Sequence, residues 1–348
     1  MNFDEVYIEG FQANLPPNEI STQEVEARLK PAYDRIGLAA GRLELFTGIQ
    51  SRRFWDLGTK PSDVSSQAGQ MLIDKLALDK NEIDVLIHAS VCRDFIEPAT
   101  SSVVHKKLGL SAHALNFDIS NACLGVMSAV SLAGDMIRSG RVRRALVVSG
   151  EVGYPLLCNT IDALNGDENL TRKSFKPHFA SLTIGSCAAA VMVSHESVAK
   201  AGSHKLICGA DYSYTEFNHL CQGDADAGVG AASSTPQMHT DSEELLVRGV
   251  EAASRCWEGF SKEFDPAAID RVFTHQVGVA HRNLLFDSLS LDQEKDFMSF
   301  SFLGNCGSAS LPATVALAEE KGLLKTGDNV ALLGIGSGIN CNMLGINW

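Results

Sequence analysis

The sequence lacks any apolar run long enough to cross a membrane. Its longest apolar stretches, such as 142–150, contain arginines and fall well short of the roughly 20 residues of a bilayer-spanning helix. The segment Met1-Asn-Phe-Asp-Glu5 has neither the basic start nor the apolar core of a secretory signal peptide. These absences predict a cytoplasmic protein without an integral membrane segment.

Positive charge is also scarce, because 29 Lys and Arg face 42 Asp and Glu, which gives a formal net charge of -13 at pH 7. Such a surface repels nucleic acid and anionic lipid, so we expect neither as a partner. It also disfavours an acidic protein partner unless a local basic patch reverses the effect. Four neighbouring arginines could form such a patch: Arg138, Arg141, Arg143 and Arg144.

The nine cysteines include no Cys-x-x-Cys pair and are spread over the whole chain. An odd number of dispersed cysteines in a cytosolic sequence predicts free thiols rather than a disulfide framework. Most such thiols are small buried residues of the core. We expect no metal site, and a cysteine with a chemical role has to be identified by its local context.

An internal repeat is the clearest sign of the fold. Segment 82–91 resembles 268–277, and both begin polar and continue as a strand. Segment 144–151 resembles 329–336, and both are apolar strands that end in glycine-rich turns after a helical segment. Each half is therefore predicted to run strand, helix, strand, helix, strand. This order indicates a duplicated α/β fold with buried central strands.

The repeat divides the chain into two predicted halves, residues 1–200 and residues 201–348. Residues 152–179 are polar and interrupted, which predicts a cap inserted over the first half. Residues 224–235 are rich in Gly, Ala and Ser, which indicates a surface loop or lid between the halves. A hydrophobic content of 45% and a charged content of 20% are typical of a globular protein with a core.

Cys123 lies in the run Asp118-Ile-Ser-Asn-Ala-Cys-Leu-Gly125, between a predicted strand and a long apolar helix. Its sulfur is therefore expected at a helix N-terminus, where free amides and the helix dipole favour the thiolate. Because the thiolate is the nucleophilic form, Cys123 is the candidate nucleophile. The alternative is a buried structural cysteine after a strand.

His275 ends the predicted strand of the second half, where active sites of α/β proteins form. His281, in the following helix, is expected to face solvent or cap a contact. Asn305 lies in Gly304-Asn-Cys-Gly-Ser308, which corresponds in the second half to the Cys123 turn. An amide between glycines can present its NH2 group to an oxyanion. The alternative is a turn asparagine in a left-handed conformation.

Two further motifs have weaker signals. Gly334-Ile-Gly-Ser-Gly338 invites a dinucleotide-binding interpretation, but the spacing is not G-x-G-x-x-G and a strand follows it. A tight hairpin that offers backbone amides to an oxyanion fits better, so we expect no cofactor. Glu97, in Arg93-Asp-Phe-Ile-Glu-Pro98, is a lone carboxylate before a proline, and most such residues are solvated loop charges.

Taken in order, these motifs resemble the thiolase superfamily, and in particular its ketoacyl synthase III branch. The matching segments are Thr47-Gly-Ile-Gln-Ser-Arg-Arg53, Asn121-Ala-Cys123, Thr274-His-Gln276, Gly304-Asn-Cys-Gly307 and Gly334-Ile-Gly-Ser-Gly338. The resemblance implies a thiolase fold, five-layered αβαβα from two duplicated halves, in a homodimer. It also implies a catalytic set of Cys123, His275 and Asn305, and an oxyanion hole made by the backbone amides of Cys123 and Ser337.

Within this branch the sequence most resembles the OleA family, whose members join two fatty acyl-CoA molecules in bacterial long-chain olefin synthesis. The matching segments are Pro31-Ala-Tyr-Asp-Arg-Ile-Gly37, Arg53-Phe-Trp-Asp56, Arg93-Asp-Phe-Ile-Glu-Pro98, Asn218-His-Leu-Cys-Gln-Gly223 and 334–341. In that family a glutamate at the position of Glu97 reaches into the partner subunit's active site. Since no carboxyl group is lost in such a reaction, a carboxylate with a raised pKa is a suitable base for the α-proton.

Three functions remain open. The first is condensation of two fatty acyl-CoAs through an acyl-Cys123 intermediate, and the second is 3-oxoacyl synthase III activity with malonyl-acyl carrier protein as partner. The third, a non-catalytic partner subunit or acyl carrier, conflicts with the intact Cys, His and Asn. Coenzyme A thioesters are expected as substrates rather than cofactors. Cys306 and the stretch near Gly228 depart from the family's pattern.

Overall fold

The computed structural model describes residues 1–223 and 238–348. The loop predicted at 224–235, with the stretch near Gly228, lies outside the described residues. The strands are β1 Val6–Asn14, β2 Asn18–Ser21, β3 Ser51–Phe54, β4 Val85–His88, β5 Leu115–Asp118, β6 Arg144–Glu151, β7 Cys187–His195, β8 His204–Ser213, β9 Cys221–Gly223, β10 Met238–Thr240, β11 Arg271–Thr274, β12 Asn329–Gly336 and β13 Asn340–Asn347.

The helices alternate with these strands in both halves. They are α1 Thr22–Arg28, α2 Lys30–Ile36, α3 Arg42–Thr47, α4 Pro61–Lys75, α5 Thr100–Leu108, α6 Gly125–Arg138, α7 Tyr154–Gly166, α8 Arg172–Phe175, α9 Ser242–Phe260, α10 Val279–Leu289, α11 Phe300–Leu303 and α12 Ser310–Glu320. Among the helices of the described residues, none combines the length and hydropathy that a membrane span requires.

Nine strands form one mixed sheet in the order β11-β12-β13-β8-β1-β7-β6-β4-β5. β5, β4 and β6 are parallel, as are β11 and β12, whereas β7 and β13 run antiparallel to their neighbours. The two halves meet where β1 pairs with β8, at Tyr7–Lys205 and Ile8–His204. The division at about residue 200 stays a prediction, and this seam is consistent with it.

Side chains alternate between the two faces of the first half of the sheet. Leu146 and Val148 of β6 pack with α4 and α5, whereas Ala145 and Val147 pack with the central helices α6 and α12. This period of two is the geometry of an extended strand. Because both faces of β6 are covered by helices, the strand is apolar from Ala145 to Val148.

The second half repeats this arrangement. In β12, Ala331 and Leu333 pack with α9 and α10, while Val330 and Leu332 face the central helices. The layers are therefore α4 with α5, the first-half part of the sheet, α6 with α12, the second-half part of the sheet, and α9 with α10. This confirms the five-layered αβαβα thiolase fold. Helix α12 lies at the centre, which explains why its residues from Ser310 to Ala318 are all buried.

The segment predicted to form a cap, residues 152–179, folds into α7, α8 and short 3-10 turns. It packs against α1, α2 and α3 around a separate apolar cluster. Members of this cluster include Val25, Leu29, Leu157 and Ile161. The inserted segment thus covers the N-terminal helices of the first half.

The second half departs from the predicted order of elements in one place. Residues 290–299 form a 3-10 turn at Gln293–Lys295 and no strand. The Gln276 side chain supplies the hydrogen bonds that a neighbouring strand would, because its Oε1 accepts from the Ser299 N–H (2.8 Å) and its Nε2 donates to Phe297 O (2.8 Å). The expectation of a middle strand in this half was wrong.

Arg144, counted above in a surface basic patch, is buried. Its Nε donates to Glu9 Oε1 (2.7 Å), its Nη1 donates to Glu82 Oε2 (2.6 Å), and 2% of its side chain is exposed. Arg144 therefore cannot contribute to a docking surface. The other three arginines of the patch are exposed.

Candidate active site

The Cys123 turn is held from both halves of the molecule. Cys123 lies in a short 3-10 turn directly before α6, as the sequence predicts. Ala122 has a φ of 44°, in the left-handed region that residues other than glycine rarely adopt. Asn121 holds the turn, because its Nδ2 donates to Ser128 Oγ (2.9 Å) and its Oδ1 accepts from Asn340 Nδ2 (3.3 Å).

The glycine-rich motif Gly334-Ile-Gly-Ser-Gly338 packs against this turn. A Cβ on Gly334 would lie 2.5 Å from Leu124 Cδ2, and a Cβ on Gly336 would lie 3.0 Å from Leu124 Cγ. Any side chain at either position would therefore collide with Leu124, the neighbour of Cys123, so both positions require glycine. The motif forms the end of the β12–β13 hairpin, in keeping with the hairpin interpretation rather than a dinucleotide loop.

The variant Gly334→Ala should displace Leu124 and with it the cysteine. We expect a loss of about 1–3 kcal/mol in unfolding free energy from overpacking, and a slower acylation of Cys123 by acyl-CoA. Thermal unfolding and intact-protein mass spectrometry measure the two effects. Gly166→Ala is the matched control, since a Cβ on Gly166 meets nothing within 4 Å. Wild-type stability and acylation in Gly334→Ala would contradict the packing role.

The two backbone amides predicted to form an oxyanion hole both lie at the Cys123 sulfur. The backbone amide of Ser337, in the β12–β13 turn, and that of Cys123 itself both lie close enough to Sγ to lower the pKa of the Cys123 thiol. Ser337 Oγ also donates to Cys221 Sγ (3.2 Å). An acyl carbonyl oxygen on the cysteine would therefore find two amide donors beside it.

Burial controls the protonation of Cys123. Desolvation raises the pKa of its thiol to about 12, and nearby Glu151 and Cys221 act in the same direction. The two backbone amides lower this pKa by less than burial raises it. The structure thus differs from the expectation that the helix start would favour the thiolate, because burial disfavours the charged form more strongly.

Alkylation of Cys123 by iodoacetamide should therefore accelerate steadily with pH. Since the thiolate is the reactive form and the pKa lies near 12, its fraction rises about tenfold for each pH unit between about pH 6 and pH 10. Peptide mass spectrometry of the alkylated residue gives the rate at each pH. A plateau below about pH 8 would show a stabilised thiolate and contradict this assignment.

His275 is a buried, neutral imidazole directly after β11. Its side chain is 3% exposed, and neither ring nitrogen has a hydrogen-bond partner among the described residues. Burial lowers its pKa to about 3, with a contribution from His281. His281, expected to face solvent or cap a contact, is half-buried, and burial lowers its pKa to about 4. A neutral His275 keeps one N–H donor and one acceptor for a ligand.

Asn305 is oriented by the backbone around it. Its N–H donates to Thr183 O (2.9 Å), and its carbonyl oxygen accepts from the Gly185 N–H (2.9 Å). Its side-chain Oδ1 accepts from the Gly307 N–H (3.0 Å). Within the described residues, the side-chain Nδ2 is therefore the group left to donate, and it is the group that an oxyanion contact would use. A Cβ on Gly304 would lie 2.7 Å from Thr183 O, so this turn requires a glycine.

Packing brings the turns of the two halves into one place. His275 directly follows β11, which pairs in parallel with β12. The end of β12 packs against Leu124 of the Cys123 turn. Ser308, three residues after Asn305, accepts through Oγ from the Val126 N–H in the first turn of α6 (2.8 Å). Chain segments next to the predicted residues of both halves therefore meet near the start of α6.

A carboxylate that sequence reasoning did not single out lies beside this group. Glu151 ends β6, and its oxygens accept from the backbone N–H groups of Val91 (2.9 Å), Cys92 (3.1 Å) and Ser308 (3.1 Å). Burial raises the pKa of Glu151 against the lowering effect of these hydrogen bonds. Its sequence signal is a charged residue at the carboxyl end of a buried strand, where functional groups collect.

Glu97 is exposed, in the loop between β4 and α5. It lines a cavity of about 280 Å³ whose walls include none of Cys123, His275 and Asn305. Ser120, three residues before Cys123, is another wall of this cavity. Within one chain, the predicted base and the predicted nucleophile therefore do not line the same cavity.

Two sequence families match parts of the chain. Residues 117–164 match the family described as 3-oxoacyl-[acyl-carrier-protein (ACP)] synthase III, and residues 261–348 match the family of its C-terminal part. The first match contains Cys123, and the second contains His275 and Asn305. Both matches agree with the ketoacyl synthase III branch.

Whole-chain relatives narrow this assignment. The chain is 36% identical over 352 residues to an acyl-CoA:acyl-CoA alkyltransferase of Shewanella oneidensis, and 34% identical over 350 residues to one of Xanthomonas campestris pv. campestris. Each alignment covers 100% of both chains.

Solved structures of OleA from Xanthomonas campestris are similar over the same length. The cerulenin-bound structure has a TM-score of 0.93 at 32% identity, covering 100% of this chain and 98% of that chain. A cysteine-to-serine variant with bound lauric acid and lauroyl-CoA has the same TM-score of 0.93 at 32% identity, covering 99% of this chain and 100% of that chain. The chain therefore belongs to the acyl-CoA:acyl-CoA alkyltransferase (OleA) family, a family of acyltransferases within the thiolase superfamily.

Proposed function

We propose that this chain joins two fatty acyl-CoA thioesters by a Claisen condensation through an acyl thioester on Cys123. The product is a 2-alkyl-3-ketoacyl thioester or acid. The observation that carries the proposal is that two backbone amides act on the Cys123 sulfur, while the second half supplies a buried, neutral His275 and an Asn305 whose Nδ2 makes no hydrogen bond within the described residues. Such a site can stabilise oxyanions, and the oxygens of its buried carboxylate, Glu151, are already engaged by three backbone N–H groups.

The first step is acyl transfer to Cys123. Its sulfur attacks the carbonyl carbon of the first acyl-CoA and loses its proton. The amides of Cys123 and Ser337 stabilise the tetrahedral oxyanion. Coenzyme A then leaves as a thiol, which takes up the proton, and the acyl group stays on the sulfur.

The second step forms the new carbon–carbon bond. An α-proton leaves the second acyl-CoA, and the enolate oxygen is stabilised by hydrogen bonds from His275 and from Asn305 Nδ2. The α-carbon attacks the acyl-Cys123 carbonyl. The cysteine sulfur then leaves and takes up the proton that the base removed. With a pKa of about 3, His275 is too weak a base to remove the α-proton. A carboxylate from elsewhere is therefore needed.

Glu97 is the carboxylate that we assign to this role. The loop that carries it, residues 89–99, is called the base loop below. This loop is firmly anchored, since Asp94 Oδ1 accepts from the Ser62 N–H at the start of α4 (2.9 Å). An anchored loop can hold an exposed carboxylate in a fixed position for a partner molecule.

We also propose that two chains form a homodimer in which each base loop enters the partner's active site. Three apolar side chains of the loop are exposed: Val91 by 51%, Phe95 by 44% and Ile96 by 38%. The neighbouring β5 is the last strand of the sheet, and within the described residues it pairs with β4 alone. An apolar patch beside a free strand edge is the kind of surface that a partner chain covers.

Decarboxylative condensation with malonyl-acyl carrier protein is the second candidate, because the matching sequence families carry that activity in their description. In that reaction the loss of carbon dioxide generates the carbanion, so no base is needed. Glu97 would then be dispensable. The burial of Arg144 also removes one charge from the surface that could dock an acidic carrier protein.

A single-substrate assay separates the two candidates. The purified protein is incubated with myristoyl-CoA alone. The extract is analysed by mass spectrometry for the 2-alkyl-3-ketoacyl product and for the coupled ketone that its acid form gives by losing carbon dioxide. We expect product without any malonyl donor. Product that forms only when malonyl-acyl carrier protein is added would rule out the proposed reaction.

We propose that the reaction takes place in the cytoplasm and needs no cofactor. All nine cysteines are free thiols, which suits a reducing compartment. The described residues contain no cluster of His, Cys, Asp and Glu arranged to hold a metal ion. Activity that survives extensive dialysis against a chelator is the expected result.

A further inference from the structure

One buried carboxylate connects the base loop to the Cys123 and Asn305 turns. Glu151, at the end of β6, is 4% exposed. Its Oε1 accepts from the Val91 N–H (2.9 Å) and its Oε2 from the Cys92 N–H (3.1 Å). Both donors belong to the base loop, so Glu151 fixes the chain as it leaves β4 towards Glu97.

The same carboxylate holds the turn that follows Asn305. Its Oε1 also accepts from the Ser308 N–H (3.1 Å). Gly307 lies against it, since a Cβ on this residue would be 3.0 Å from Oε1. The Gly307 N–H donates to Asn305 Oδ1 (3.0 Å), the hydrogen bond that leaves Nδ2 free. Glu151 therefore supports the orientation of the asparagine amide.

A third connection runs from this turn to the helix of the nucleophile. Ser308 Oγ accepts from the Val126 N–H (2.8 Å), and a Cβ on Gly125 would lie 2.8 Å from the same oxygen. Gly125 is two residues from Cys123. Ser308 is therefore also held by the start of α6, through a hydrogen bond that does not involve Glu151.

The chemistry of these contacts requires a carboxylate. The three backbone partners of Glu151 are all N–H donors, and an ionised carboxylate is an acceptor on both oxygens. A glutamine at this position would turn an NH2 group towards at least one of the donors. Burying a carboxylate without a cationic partner costs free energy unless hydrogen bonds compensate. Within the described residues no Lys or Arg forms an ion pair with Glu151. The hydrogen bonds from the backbone amides therefore supply this compensation.

We propose that Glu151 is a positioning residue that keeps the base loop and the Asn305 turn in fixed relation to Cys123. This inference rests on the proposed function, because it assumes that Glu97 acts as the base. Acylation of Cys123 uses neither the base loop nor Asn305, whereas condensation uses both. Loss of Glu151 therefore slows condensation far more than acylation.

The variant Glu151→Gln tests this split. We expect condensation of myristoyl-CoA to fall by about 100-fold, the effect of misplacing a reacting group by about 1 Å. Acylation of Cys123, followed by intact-protein mass spectrometry, should stay within about threefold of wild type. Gly307→Ala, which pushes a methyl group against the same carboxylate, should show the same split. Equal losses in both half-reactions, or no loss in either, would overturn the proposal.

Glu26→Gln is the matched control for loss of a buried carboxylate. Glu26 is also 4% exposed and accepts backbone N–H groups from Gly41 (2.6 Å) and Leu43 (2.8 Å), outside the predicted site. We expect it to lower thermal stability without changing the ratio of condensation to acylation. If wild type itself gives no product from myristoyl-CoA alone, the proposed function fails. If wild type condenses and Glu151→Gln condenses equally fast, only the role of Glu151 fails.

Mixed dimers separate the two proposed roles of Glu151, which are to hold the base loop and to hold the Asn305 turn. One subunit carries Cys123→Ala and donates only its base loop, and the other carries Glu97→Ala and contributes only its cysteine. We expect Glu151→Gln to lower condensation whether it is placed in the first subunit or in the second. A loss confined to one placement would overturn the claim that Glu151 serves both the base loop and the Asn305 turn.

Discussion

Replacing Cys123 by alanine should abolish both acylation and condensation. The acyl intermediate has no other attachment point in the proposed mechanism, so we expect condensation to fall by about 10⁴-fold or more. Intact-protein mass spectrometry with lauroyl-CoA should show no acyl adduct on the variant. Thermal stability should change little, because the residue lies at a helix start rather than in the core clusters.

The matched control is Cys158→Ala. Cys158 is also a partly buried free thiol, but it lies on α7 and its sulfur accepts from Arg28 Nη2 (3.3 Å) away from the predicted site. This variant should keep wild-type acylation and condensation. An acyl adduct that persists in Cys123→Ala and disappears in Cys158→Ala would show that the nucleophile is Cys158 and not Cys123.

Replacing Glu97 by glutamine should separate the two half-reactions. Glutamine keeps the shape of the side chain and removes the base, so we expect acylation of Cys123 to continue and condensation to fall by about 10²–10⁴-fold. Stopped reactions analysed for protein adduct and for free ketone measure the two rates. Unchanged condensation in Glu97→Gln would remove this residue from the mechanism.

Complementation tests whether Glu97 acts across subunits. Dimers with one Cys123→Ala subunit and one Glu97→Gln subunit are isolated with two affinity tags. If the base loop enters the partner's site, one of the two sites contains both an intact cysteine and an intact glutamate. We expect about half of the wild-type condensation rate. No recovery would place Glu97 in the site of its own chain.

Much of the fold could be predicted because a duplicated pattern of strands and helices leaves few arrangements. The resemblance of 82–91 to 268–277 already indicates two matching half-sheets. The exception is the chain at 290–299, where the Gln276 side chain replaces a strand partner. The local pattern of apolar residues cannot reveal that a side chain takes the place of a strand here. This replacement depends on hydrogen bonds from one side chain elsewhere in the chain.

The positions of Cys123, His275 and Asn305 were predictable because each lies at an end of a regular element. Two properties of the site were not. The raised pKa of Cys123 follows from burial, which a sequence motif does not report. The role of Glu151 depends on backbone donors 59, 60 and 157 residues away along the chain. Only the folded chain brings such donors to one carboxylate.

The most direct test of the account is a two-substrate chase. The enzyme is first acylated with a limiting amount of lauroyl-CoA labelled at its carbonyl carbon, and myristoyl-CoA is then added without any malonyl donor. The proposed mechanism predicts that the label leaves Cys123 and appears as the ketone carbon of a mixed product built from both acyl chains. A labelled acyl group that stays on Cys123 until malonyl-acyl carrier protein is supplied would contradict it.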